Sequence, residues 1–306
     1  SFSLALLGNN KSYSWPGWEI IKKVLDQKPV TATENVAVSI SENGPLRASI
    51  KVERNFGGSR FVQEYTMTDG ATDERIDVRM YIDWKSKGTL LKVAFPVSFD
   101  AKNATYDLGI ANISRGNNTE IAYETYGHQW ADITADDGSY GVTIMNDCKY
   151  GISVRGSDMR LSLHRGGTHP DPAGDFGVHE MTYSILPHCG DFSVKNVVYP
   201  AYELNTPVIV APGALKAALA APVLVDADNV IVEAVKPAED ISNAYVVRLY
   251  EAERARTVTQ LTFPADVKRV VETNMLEEAV ADLALTDGVA DVTFKPFEIK
   301  TFICYR

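Results

Sequence analysis

All five histidines of this 306-residue chain (His128, His164, His169, His179 and His188) lie between residues 107 and 191, among Arg115, Trp130, Arg165, Asp171 and Asp175. Imidazole, carboxylate and guanidinium groups at that density could hold a metal, move protons or grip a polar ligand. Asp171, Asp175 and His179 offer the donors that zinc or manganese takes. They fall in a Pro- and Gly-rich stretch where such residues also cap turns, and no regular element fixes their convergence. His128 and His179 could act as acid and base of a sugar mutarotase, which needs the two on opposite sides of a ring. Solvated or core-edge histidines are the plain alternative. Trp130 and Tyr126 could stack on pyranose faces, with core packing as the alternative for Trp130. Arg165 could donate several hydrogen bonds to hydroxyls or to a carboxylate. In the run Met159, Leu161, Leu163, Arg165 it has the parity of the apolar face, with Arg160, Ser162 and His164 on the other. An inward arginine at a strand end needs a buried or interfacial partner, and an internal salt bridge would serve as well as a ligand.

The elements that must position these residues are strands. Val36, Val38 and Ile40 alternate with polar neighbours, and Leu46, Ala48, Ile50 and Val52 do so after the turn residues Asn43, Gly44 and Pro45, which reads as a hairpin. Phe61, Gln63, Tyr65 and Met67 follow, between Gly57-Gly58 and Asp69-Gly70. Ile76, Val78, Met80, Ile82 and Trp84 alternate strictly, as do Leu91, Val93, Phe95, Val97 and Phe99 after a turn at Lys87-Gly88. Period-2 patterns of this kind predict antiparallel sheets with one face buried. Helical signals are few: one short helix is expected within Trp18 to Asp26, and Thr273 to Leu285 is rich in helix formers. From Asn205 to Pro222, around Ala217, the chain turns Pro-, Ala- and Gly-rich, which suits a connection. Beyond it, Val230 to Val235, Tyr245 to Tyr250, Val258 to Phe263, Val289 to Phe294 and Phe297 to Tyr305 read as the strands of a small sandwich. The expectation is an all-β chain of two domains, residues 1–206 and 207–306.

Composition narrows the function. The net charge is −10, with no cluster of Lys and Arg, which argues against nucleic acid as a partner. No apolar run approaches the roughly 20 residues of a membrane-spanning helix. Cys148, Cys189 and Cys304 are widely spaced and form no CxxC pair, so they read as small buried hydrophobes in a reducing, cytoplasmic setting. Ser1 is not a methionine, so something has been removed or the chain is part of a longer one. A homo-oligomer is left open.

Read as a string, the same region resembles the carboxy-terminal part of bacterial glycoside hydrolase family 38 α-mannosidases. The resemblance rests on Tyr106-Asp-Leu-Gly109, Arg115-Gly-Asn-Asn118 and the signature Glu124-Thr-Tyr-Gly-His128-Gln-Trp130-Ala-Asp132. Asn146-Asp-Cys-Lys-Tyr-Gly151 follows, then Leu161-Ser-Leu-His-Arg165, Pro170-Asp-Pro-Ala-Gly-Asp175-Phe-Gly177, His179 and Pro187-His188. Farther on, Lys236-Pro-Ala-Glu239, Arg248-Leu-Tyr-Glu251, Glu272-Thr-Asn-Met-Leu-Glu277 and Pro296-Phe-Glu-Ile-Lys-Thr301 agree. No single motif decides; the ordered set does. The resemblance implies a large antiparallel supersandwich of the galactose-mutarotase type followed by a small β-sandwich. It also implies that zinc, an aspartate nucleophile and a second carboxyl for acid/base work belong to an amino-terminal catalytic barrel of the same polypeptide, acting on α-mannosides or oligosaccharides. No catalytic residue and no metal ligand is then expected in this chain, which alone should not hydrolyse mannosides. Arg165 matches a family arginine that reaches toward the substrate cleft, with Asp171 and Asp175 following to orient it and His179 nearby. A free-standing carbohydrate-binding module and a mutarotase-like epimerase are the rival readings.

Overall fold

The computed structural model describes residues 3–7, 15–33, 35–69, 74–117, 123–213 and 220–306. Gly70, Asn118 and Ala217, used in the readings above, lie outside them. The chain forms two compact units, one of residues 1–109, 113–192 and 196–207, the other of residues 110–112, 193–195 and 208–306.

The larger unit is built from a nine-stranded and a six-stranded sheet, in which neighbouring strands such as Leu90–Pro96 and Asp158–Arg165, or Ile76–Trp84 and Gly177–Cys189, pair antiparallel. Alternation works as expected in Ile76–Trp84, where Val78, Met80, Ile82 and Trp84 are buried. These pack with Phe61, Ile144 and Tyr183 of their own sheet against Leu91, Val93, Phe95, Met159 and Leu161 of the other. Gly57 and Gly58 both take positive φ, at 58° and 81°, in the two-residue link between Arg47–Phe56 and Ser59–Thr68, a geometry that glycine adopts without steric cost.

The strand Leu90–Pro96 departs from the one-sided pattern. Leu90, Lys92 and Ala94 are buried along with Leu91, Val93 and Phe95. Its second face is covered in part by Val24 and Leu25, which pack on Leu90 with Ile20 and Ile21 alongside. These residues belong to the expected helix, which shrinks to Lys22–Leu25 after a turn at residues 16–18.

The smaller unit has sheets of three and five strands around Val247, Leu249, Leu261, Phe294 and Phe302. Its expected strands are present. Thr273 to Leu285 is not a helix: Arg269–Thr273 and Ala279–Leu283 pair antiparallel, and the Asn274 carboxamide accepts the Leu276 and Glu278 N–H groups in the turn between them. Sheet pairing here overrides a helix-forming composition, as tertiary context often does. No helix among the described residues is long and apolar enough to cross a membrane.

Candidate functional site

Arg165 ends the strand Asp158–Arg165, which pairs with Leu90–Pro96. Ser162 lies opposite Lys92, but His164, not Leu163, lies opposite Leu91. This β-bulge inserts one residue and shifts the alternation by one. His164 therefore turns inward, edge-on to buried Trp84 with ring centroids 4.8 Å apart. Arg165 lands on the opposite face with Leu90, Lys92 and Ser162. The inward parity expected for Arg165 is thus corrected. Gly166 follows where a Cβ would come within 2.2 Å of the Ser86 carbonyl oxygen, and Gly167 where one would come within 2.7 Å of Gly17 Cα. Only glycines allow the chain to pass so close.

Arg165 is half-buried and donates to the Glu19 carbonyl. Burial pulls its guanidinium down to about 10, a shift that Glu19 and Glu124 oppose, so it stays cationic at neutral pH. It lines a cleft of about 440 Å³ together with Lys149, His169, Asp171, Asp175 and Trp18. Three of the four residues expected near substrate, Arg165, Asp171 and Asp175, thus share one cleft.

His179 does not line it. Its Nε2 donates to the Asp175 carbonyl at 2.8 Å, and His164 Nε2 approaches the same oxygen at 3.1 Å. The two rings are 4.1 Å apart. Burial first, then His179 and Lys149, push His164 down to about 4. Asp175 has φ 50°, and the two imidazoles clasp the loop at that residue. Asp171 accepts the Ala173 N–H at 2.8 Å, the turn chemistry weighed against metal binding. Among the described residues no group of three His, Cys, Asp or Glu could hold a metal ion.

His128 stacks on Tyr150, its Nδ1 3.6 Å from the Asp107 carboxylate, a setting separate from that of His179. Trp130 is buried against Phe192 and is core, not platform. Tyr126 is exposed, with Arg115 over its ring. Of the cysteines only Cys304 is buried; Cys148 and Cys189 are exposed thiols, which corrects the expectation that all three are buried.

Residues 3–173, more than half of the chain, match the model of the glycosyl hydrolases family 38 C-terminal domain. The chain belongs to glycosyl hydrolase family 38. Residues 229–302 match the same family's C-terminal beta sandwich domain. Alpha-mannosidase 2C1 of Mus musculus is 30% identical over 304 residues, and alpha-mannosidase G of Dictyostelium discoideum 31% over 308. Each match covers 94% of this chain but only 29% and 28% of those proteins. A solved alpha-mannosidase from Enterococcus faecalis shares the fold, with TM-score 0.76 at 18% identity, over 100% of this chain and 38% of that one. This family 38 chain matches the family's C-terminal domains and spans less than a third of the length of these curated relatives.

Several features of this family 38 chain escaped sequence reading. Glu124 of the signature accepts two 2.8 Å bonds from Lys92 Nζ and one of 2.6 Å from Ser162. Lys92 is fully buried, and burial lowers its pKa against the pull of Glu124. A Cβ on Gly151 would come within 3.0 Å of Glu124 Oε1. His188 and Asp132 form a second buried pair at 2.9 Å, with Thr143 donating to the same carboxylate oxygen. Trp15 and Trp18 stack at 5.1 Å, and Trp15 also stacks on His169. The adjacent Pro16-Gly17 was the only local hint.

Proposed function

We propose that this chain is the carboxy-terminal β portion of a retaining, zinc-dependent α-mannosidase, and that the Arg165 cleft is one wall of its sugar pocket. Zinc would be held by the amino-terminal barrel of the full-length polypeptide, where it grips sugar hydroxyls. Arg165, Asp171 and Asp175 approach substrate from this side, and His179 fixes their loop. The 1–206 and 207–306 segments are the large and small domains of that half. Three free thiols accord with a cytoplasmic enzyme.

The observation that carries the reading is a charged, half-buried arginine in a concave cleft shared with Lys149, His169, Asp171 and Asp175, its guanidinium also bound to the Glu19 carbonyl. Its guanidinium can offer charge-assisted donors to sugar hydroxyls. Arg165→Ala in the full-length enzyme is expected to lower kcat/KM by about tenfold or more while leaving its circular dichroism unchanged. A wild-type rate would remove Arg165 from the pocket.

One observation favours a carbohydrate-binding module instead. Trp15 and Trp18 are 45% and 72% exposed while stacked, and such rings offer a face to a pyranose. Calorimetric binding of mannose or oligomannose by the 306-residue chain, abolished by Trp18→Ala, would support that reading.

A further inference from the structure

Val36–Asn43, Arg47–Phe56 and Ser59–Thr68 are the consecutive strands at one end of the nine-stranded sheet. Their two faces differ in kind. One carries Lys51, Glu53, Arg60 and Glu64, with Glu53 paired to Lys51 at 2.8 Å and to Arg60 at 2.7 Å. That face is made for water.

On the other face Val38 lies opposite Val52, Ile40 opposite Ile50, Ile50 opposite Tyr65, and Ala48 opposite Met67. Phe61, Gln63 and Tyr65 of the same face register with Ile82, Met80 and Val78 of the next strand. This is the core-facing side of the sheet continued outward. Phe61, Met80 and Ile82 are sealed in the core, whereas Val38, Ile40, Ile50 and Met67 are 65%, 71%, 48% and 52% exposed. Val36–Asn43 contributes nothing to the buried cluster. A contiguous apolar patch of this kind on one face of a sheet marks a contact surface.

We propose that this face is covered by the polypeptide that precedes the C-terminal domains in the full-length family 38 enzyme. The inference rests on the reading of the chain as part of such an enzyme. Two observations favour this occupant over a second copy. The chain carries a net charge of −10, which opposes self-association. The edge strand is also bulged at Ser41, between Ile40 and Glu42, a device that discourages edge-to-edge pairing. Meanwhile some 70% of each relative's length lies outside the match, as follows from coverages of 28–30%.

The methionines supply a direct probe, since peroxide oxidises exposed thioethers first. Met67 and Met275 are exposed, whereas Met80, Met145, Met159 and Met181 are buried. In the 306-residue chain, Met67 should oxidise about as fast as Met275 and as free N-acetylmethionine amide in the same tube. In the full-length enzyme Met67 should oxidise at least tenfold more slowly, and Val38→Lys/Ile40→Lys should restore the fast rate. Equal Met67 rates in the two proteins would overturn the proposal. So would protection of Met67 in the 306-residue chain that grows with concentration alongside a dimer in sedimentation, since a second copy would then be the occupant. If Met67 stays open in an enzyme that Arg165→Ala still slows, the docking face is wrong and the functional reading stands.

Discussion

Glu124 in the larger unit and Glu251 in the smaller one are both carboxylates withdrawn from water, yet they are satisfied differently. Glu251 is fully buried and takes four nitrogen donors, the Asn229 amide and the backbone N–H groups of Glu253, Ala255 and Phe297, at 2.7–3.0 Å. None of these donors is a cation. Glu124 instead takes the ammonium of Lys92, fully buried like Glu251, plus one hydroxyl. The first arrangement knots three loop segments together. The second joins strands of one sheet beside the cleft, and its charge reaches Arg165, whose cationic form Glu124 favours. A buried carboxylate can be satisfied by neutral amide donors alone. Withdrawing a cation–anion pair from water carries a desolvation cost, and this pair lies beside the Arg165 cleft, which Ser162 lines.

The strongest way to break this contrast is Lys92→Met, which leaves Glu124 without its cation. It should destabilise the larger unit by about 3–5 kcal/mol, while Lys92→Met/Glu124→Gln should recover most of the loss. The four tryptophans, Trp15, Trp18, Trp84 and Trp130, all lie in that unit, so urea unfolding followed by indole fluorescence reads it. A single-variant loss under about 1 kcal/mol would show that Glu124 needs no cation.

A second test uses His164, which is buried on the core side of the strand that carries Arg165 and Ser162. The folded state holds it at about 4, against an ordinary value of 6.5, chiefly by burial. It is then neutral where the unfolded chain takes up a proton. The stability this confers is complete above pH 6.5 and is lost as the pH falls toward 4, about 3 kcal/mol in all. His164→Phe should flatten that part of the pH profile, measured by the same fluorescence at pH 7 and pH 4.5. An unchanged slope would move the acid sensitivity elsewhere.

The strands were legible wherever one face met core and the other met water, as in Ile76–Trp84. Leu90–Pro96 misled because cover on its second face comes from residues 20–25, a tertiary fact that no alternation carries. The orientation of Arg165 was misread for a smaller reason. Parity counts assume an unbroken ladder, and the bulge at Leu163 leaves no mark in a run of alternating residues. The loop residues Asp171 and Asp175 were found because their types are conspicuous. The Lys92–Glu124 pair was missed because its members are 32 positions apart and each has a bland local reading. Likewise, the alternation in Val36–Asn43 shows which side chains share a face, but not that the facing sheet stops short of them.

The mildest perturbation bears on the other half of the contrast. Glu251→Gln keeps the shape but trades a four-acceptor anion for an amide with one oxygen. Each carboxylate oxygen accepts from two of the four donors, so two of them would then face an NH2 group instead of an acceptor. Hydrogen bonds to charged groups contribute about 1.5–3 kcal/mol, so a loss near 2 kcal/mol is expected. The smaller unit has no tryptophan, so the loss should appear as faster amide exchange in Ala244–Glu251 and Ile299–Tyr305, the paired strands next to the knot. The indole-detected midpoint should stay where it was. If that midpoint falls by the same amount, the units unfold as one body and Glu251 stabilises more than its own loops. A local loss would show a buried anion held by neutral amide donors alone, with effects confined to its surroundings, whereas the Lys92–Glu124 pair acts on a charged neighbour in the cleft.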